Sequence, residues 1–152
     1  MNQDERIIAN NRKAKFEYSI LDSYEAGIIL TGSEVKSIRL GNVNLQEGYA
    51  FTKQNGVFLS GVNISPYKEA NILNHDPVRE RKLLLNKSEI RKLSAKTKEK
   101  GLTLIPLKMY FKNGFIKIEL GLCAGKKLHD KRERIKERET ERKINYIKKQ
   151  KY

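Results

Sequence analysis

The residues best equipped for chemistry lie in one run, Gly125-Lys126-Lys127-Leu128-His129-Asp130-Lys131-Arg132. Lys126, Lys127, Lys131 and Arg132 can take phosphates, His129 can stack on a base or donate to one, and Asp130 can accept from a base amino group or organise Arg132. Gly125 gives the run a free hinge. The set suits recognition rather than catalysis, because no nucleophile stands at a fixed distance from His129. His75 stands alone before Asp76-Pro77, and with no second ligand at useful spacing it reads as a turn residue rather than a metal ligand or acid–base group. Cys123 is the single cysteine, so no intramolecular disulfide is possible and metal-ligand spacing is absent. No catalytic residue, metal or cofactor is expected.

A second set is spread over the body. Asn113-Gly114 predicts a hairpin across Leu102 to Cys123 that opposes Lys112 to Phe115, Phe111 to Ile116, Met109 to Ile118 and Lys108 to Glu119. One face then holds Leu107, Met109, Phe111, Ile116, Ile118 and Leu120. The other interleaves Lys108, Tyr110, Lys112, Phe115 and Lys117, which fits either stacking on loop RNA or an outer face kept soluble by lysine. Pro106 marks an edge or a bulge. Thr31-Gly-Ser-Glu34 has capping-box spacing and starts a helix that Gly41 ends, with Val35 and Ile38 inward and Lys36 and Arg39 outward. That cationic pair fits a phosphate contact or a solvated helix face.

The remaining elements must hold these sets in place. Met1 to Lys15 reads as a frayed approach to a strand over Lys15–Tyr24, in which Phe16, Tyr18 and Ile20 share a buried face. Gly27 interrupts, and Ile28-Ile29-Leu30 resumes as a short buried run. A second Asn-Gly pair at Asn55-Gly56 predicts a hairpin over Tyr49 to Ile64, with Phe51 opposite Ser60, Tyr49 opposite Val62, and Tyr49, Phe51, Phe58 and Ile64 on one apolar face. Ser65 to Arg81 is a long loop. Arg81 to Asn86 is a strand or a buried entry running into a second helix, capped by Asn86 with Glu89 and striped by Ile90, Leu93 and Thr97. About six mostly antiparallel strands with two or three short helices and no βαβ rhythm predict a mainly β, OB-like barrel.

Charge divides the chain. Its 32 Lys plus Arg against 18 Asp plus Glu give +14, an excess that calls for a polyanion, most commonly nucleic acid. From Ala124 to Tyr152, twelve basic against five acidic residues carry half of that charge. Leu128 and Ile135 align on a helix, but Ile144 falls on the opposite side, so the segment has no stripe with which to hold the barrel. The division expected is a body over 1–124 and a basic tail over 125–152, disordered when free and helical on its partner. No apolar run approaches the roughly 18 residues of a spanning helix, and Met-Asn-Gln-Asp-Glu-Arg is too polar for a signal peptide. A cytoplasmic protein with no membrane partner is expected.

Seven motifs together resemble the SmpB family, the SsrA-binding proteins. They are Asn11-Arg12-Lys13-Ala14, Tyr24-Glu25-Ala26-Gly27, Glu34-Val35-Lys36-Ser37, Ile64-Ser65-Pro66-Tyr67, His75-Asp76-Pro77, Arg81-Lys82-Leu83-Leu84-Leu85-Asn86 and Gly125 to Arg132. The resemblance implies a non-enzymatic adaptor of trans-translation. Such an adaptor binds transfer-messenger RNA (SsrA) and delivers it, with elongation factor Tu and GTP, to the small subunit of stalled ribosomes. It implies that Glu25, Leu84 and Asn86, with Tyr24 beside them, meet the tRNA-like RNA, Glu25 accepting from a base or sugar hydroxyl. Arg12, Lys13 and Lys36 move towards backbone contacts, and Gly125, Lys126, Lys127, His129, Asp130, Lys131 and Arg132 act in the decoding centre. A monomer is expected. A general RNA-binding or ribosome-assembly protein is the alternative.

Overall fold

The structure, a computed structural model, describes residues 5–99 and 101–125. The elements in chain order are β1 (Arg6–Asn10), α1 (Arg12–Glu17), β2 (Tyr18–Ile28), α2 (Gly32–Arg39), β3 (Val43–Asn44), β4 (Tyr49–Lys53), β5 (Gly56–Ser60) and β6 (Asn63–Ile64). A 3-10 segment (Lys68–Leu73), β7 (Arg81–Leu84), α3 (Lys87–Thr97), β8 (Leu102–Lys112) and β9 (Phe115–Gly125) follow. Strands β8, β4, β5, β7, β2 and β9 pair in that order, and β9 returns to β8. The six therefore close into an antiparallel ring, the OB-like barrel expected, and closure leaves none of them a free edge.

The long hairpin matches its expected register, with Lys112 opposite Phe115, Phe111 opposite Ile116 and Met109 opposite Ile118. Asn113 and Gly114 take φ of 52° and 81°, the left-handed pair a tight turn requires. The ladder shifts between Pro106 and Lys108, so Pro106 lies at a bulge. That bulge turns Leu107 away from Met109 and into a second cluster with Ala14, Ile105 and Cys123. Helix α3 starts at Asn86, whose amide donates to Glu89 Oε1 at 3.2 Å, and it inserts Leu93 into the main core. Truncating Leu93 would cost about 2–5 kcal/mol.

Three local expectations are corrected. The N-terminal stretch is not frayed within the described residues: β1 pairs with β8, and α1 follows at once. The cause is Asn11, fully buried, whose Nδ2 donates to the carbonyls of Leu45 (3.1 Å) and Pro106 (2.9 Å) while its Oδ1 accepts from the Ala14 amide. Phe16 consequently sits on a helix and is 82% exposed, and β2 begins at Tyr18. A register shift between Ile20 and Asp22 then reverses the parity of β2. Ile20 lies outside, Ala26 faces the core with Tyr24 and Ile28 packed against it, and the strand runs through Gly27 without interruption.

The second correction is the β4–β5 hairpin. Its turn is Gln54-Asn55, at φ of 48° and 61°, so Phe51 opposes Phe58 and Tyr49 opposes Ser60. The third follows from the core, which takes Ala50, Val57 and Leu59 and leaves Tyr49, Phe51 and Phe58 as a ladder of rings outside, with centroids 6.2 and 6.1 Å apart. Val62 and Ile64 are inside, beyond the turn at Gly61.

Candidate nucleic-acid interface

Each expected residue has its place on this barrel. The reversed parity of β2 turns Glu25 outward while its neighbour Ala26 stays buried. One row of cross-strand partners, Tyr110 to Lys117 to Gly27 to Leu84, runs over β8, β9, β2 and β7 beside it. Leu84 is half exposed and lies over Gly27, where an added Cβ would stand 3.3 Å from the Leu84 Cβ. Asn86 is exposed at the start of α3, and Lys92 of the same helix stands 5.9 Å over the ring of Tyr24. Tyr24 and Glu25 are neighbours on β2 whose side chains leave opposite faces, Tyr24 packing against the core and Glu25 turning outward, while Leu84 ends β7 and Asn86 begins α3.

Glu25 is held with one oxygen only. Its Oε2 accepts from the Tyr110 hydroxyl at 2.7 Å and from Lys112 Nζ at 3.0 Å, whereas Oε1 has no hydrogen bond among the described residues. The Tyr110 bond lowers the Glu25 carboxyl below its ordinary range; burial opposes it, and Lys112 and Lys117 add to the lowering. Burial first, and then the Glu25 bond, raises the Tyr110 hydroxyl. The result is an oriented carboxylate with a free acceptor, between Lys112 and Glu119, the cross-strand partner of Glu25, able to take a hydrogen from a base amino group or a sugar hydroxyl.

The interleaved face does not stay open as a whole. Tyr110 is 4% exposed and is no stacking platform, and Lys108 approaches Glu5 at 3.4 Å and Glu119 at 3.9 Å. Lys13 pairs with Glu47 at 2.8 Å, which raises its pKa, and it lies on exposed α1 beside Arg12. Lys36 is exposed on α2, 5.5 Å over the Tyr67 ring. These three cations are not part of the Glu25 cluster. Gly125 is the last residue of β9 and pairs with Tyr18. Lys126, Lys127, His129, Asp130, Lys131 and Arg132 lie outside the described residues, as does the expected helical tail.

Sequence reading missed one polar centre altogether. Glu34, read there only as a capping residue, is fully buried: Oε1 accepts from the Thr31 amide (2.8 Å) and Arg79 (2.6 Å), and Oε2 from Arg81 (2.5 Å). Burial would raise its pKa, but Arg79, the Thr31 amide and Arg81 outweigh that and hold it at about 2. His75 has the structural role expected, its Nδ1 meeting Ser33 Oγ and its Nε2 the Ile64 carbonyl, both at 2.8 Å. Burial pushes the Cys123 thiol up to about 11, leaving it inert. No helix among the described residues is long and apolar enough to cross a membrane.

A closed six-stranded barrel of this kind, with exposed polar loops and a basic surface, belongs to the OB-like class of binding folds. The SmpB protein family model matches residues 8–150, and the chain belongs to that family. It is 52% identical over 146 residues to the SsrA-binding protein of Thermosynechococcus vestitus, covering 95% of this chain and 96% of that one. The SsrA-binding protein of Carboxydothermus hydrogenoformans is 56% identical over 140 residues, covering 92% and 94%. A solved chain described as "tmRNA-SmpB: a journey to the center of the bacterial ribosome" superposes with a TM-score of 0.66 at 47% identity, over 77% of this chain and 82% of that one.

Proposed function

We propose that the protein is a non-enzymatic adaptor of trans-translation. It binds the tRNA-like domain of transfer-messenger RNA through Tyr24, Glu25, Leu84 and Asn86, with Arg12, Lys13 and Lys36 adding backbone contacts. It then delivers that RNA, with elongation factor Tu and GTP, to the small subunit of stalled ribosomes in the cytoplasm. The body over 1–124 holds the RNA, and the tail over 125–152 probes the empty mRNA channel and decoding centre through Gly125, Lys126, Lys127, His129, Asp130, Lys131 and Arg132.

The supporting observation is the open Oε1 of Glu25, aimed by Tyr110 and Lys112, in a chain more than half identical to proteins named SsrA-binding. A carboxylate repels phosphate, so its display on a +14 chain is useful for reading a base or sugar rather than for neutralising a backbone. The test is competition binding at fixed moderate salt between the tRNA-like domain and equal-length duplex RNA. The adaptor prefers the former; a protein that only neutralises phosphate shows no preference. Because Gly125 still pairs with Tyr18, truncation after Gly125 separates the two parts without disturbing β9. It leaves RNA binding intact and abolishes peptide tagging on stalled ribosomes, and equal loss of both activities would contradict the division.

A further inference from the structure

Of the five interleaved residues on β8 and β9, three are consumed within the protein. Tyr110 and Lys112 hold Glu25, and Lys108 is placed against Glu5 and Glu119. Phe115 and Lys117 remain: the Phe115 ring is 69% exposed, and Lys117, its ammonium 6.0 Å from that ring, forms no ion pair among the described residues. Both line a groove of about 270 Å³ between the β8–β9 turn, Leu84 and the end of α2. Arg39, also without an ion pair among the described residues, closes the far side, and no carboxylate lines the groove.

We propose that this groove receives one unstacked nucleotide of the RNA, its base against Phe115 and Leu84 and its phosphate at Arg39 and Lys117. The proposal rests on the RNA-binding reading above and deepens it. The groove falls just under the roughly 300–1,000 Å³ of pockets that enclose whole drug-sized ligands, so it suits a single ring system. Its wall offers the apolar and aromatic surface on which a splayed base stacks, and its two cations match one phosphate charge, with Glu25 close enough to interact with Lys117 but outside the lining. Gly27 in the floor lets Leu84 settle against the sheet; a side chain there would push Leu84 towards the space the base takes.

The chain contains no tryptophan, so Phe115→Trp introduces a single reporter at the groove. The full-length chain is titrated with the tRNA-like domain of transfer-messenger RNA. Phe115→Trp still binds the tRNA-like domain, and its emission is quenched at saturation by base stacking. Phe115→Ala, a change at an exposed position, weakens binding roughly five- to hundredfold, with the salt dependence unaltered. Arg39→Gln lowers the slope of log affinity against log salt by about 1. Unquenched emission at saturation, or wild-type affinity in Phe115→Ala, overturns the proposal, and loss of ribosomal tagging with RNA affinity intact would assign the groove to another partner. Wild-type preference for the tRNA-like domain is read separately, so failure of the adaptor reading is distinguishable from failure of the groove.

Discussion

Glu34 and Glu25 are both carboxylates held by neighbouring donors, and the protein uses them in opposite ways. Glu34 is completely buried and has both oxygens occupied, by Thr31, Arg79 and Arg81. Glu25 has a side chain 40% exposed, anchored through Oε2 alone. Arg81 also donates to the Val62 carbonyl, so the Glu34 centre ties α2 to β7 and to the segment leading into β6. Nothing of its charge is left for a partner. Comparison of the two separates a carboxylate whose bonds are all internal from one whose bonds only aim it.

The largest expected effect breaks the buried side of this comparison. Glu34→Gln leaves the Arg81 guanidinium, only 1% exposed, without its counter-charge, and removing one partner of a buried pair costs about 3–5 kcal/mol. Urea unfolding of the two proteins measures the difference. A loss below about 1 kcal/mol would mean that water reaches the centre and screens it. The double variant Glu34→Gln, Arg81→Met sharpens the point, because removing both charges recovers most of what the single change loses.

Acid gives the next effect. Glu34 titrates at about 2 in the folded protein against an ordinary 4.5. A depressed folded pKa contributes stability that is complete above the unfolded value and disappears as pH falls towards the folded one. The contribution is therefore lost between about pH 4.5 and 2, and is on the order of 3 kcal/mol. Wild-type stability should fall more steeply than that of Glu34→Gln across this window, measured as unfolding midpoints at several pH values. Parallel curves would place the acid sensitivity elsewhere.

The buried centre was not legible in the sequence, and the reason is distance. The bond from Glu34 to the Thr31 amide is local and its capping spacing is plain, but Arg81 lies 47 residues away and nothing in either motif announces the meeting. Local turn chemistry was a good guide where it acted alone. Asn113-Gly114 set the β8–β9 register correctly, because both positive φ angles fall on those two residues. At Asn55-Gly56 the same signal misled by one position, since Gln54 accepts a positive φ and Gly56 enters the ladder opposite Lys53. The parity of β2 was hidden by the register shift after Ile20, which no composition reveals. Barrel closure, the Asn86 cap and the structural role of His75 followed from pattern; the Tyr110–Glu25 bond required the β8–β9–β2 pairing to be known.

The smallest effect on stability belongs to the exposed side, and there the comparison is most informative about binding. Glu25→Gln keeps a carbonyl able to accept from the Tyr110 hydroxyl and loses an ion pair to Lys112 that solvent already screens, so unfolding should shift by less than about 1 kcal/mol. RNA binding should separate in two directions. Removing a negative charge from a basic surface relieves repulsion of phosphate, so affinity for duplex RNA stays level or rises slightly. Glutamine offers a weaker acceptor, and its amide can turn a donor towards the position of Oε1, so affinity for the tRNA-like domain falls. The ratio of the two affinities is expected to narrow roughly five- to hundredfold, the range for losing one well-placed base contact. If both affinities instead rise together, Glu25 only moderates the surface charge, and its anchoring by Tyr110 and Lys112 would be structural in the same sense as that of Glu34.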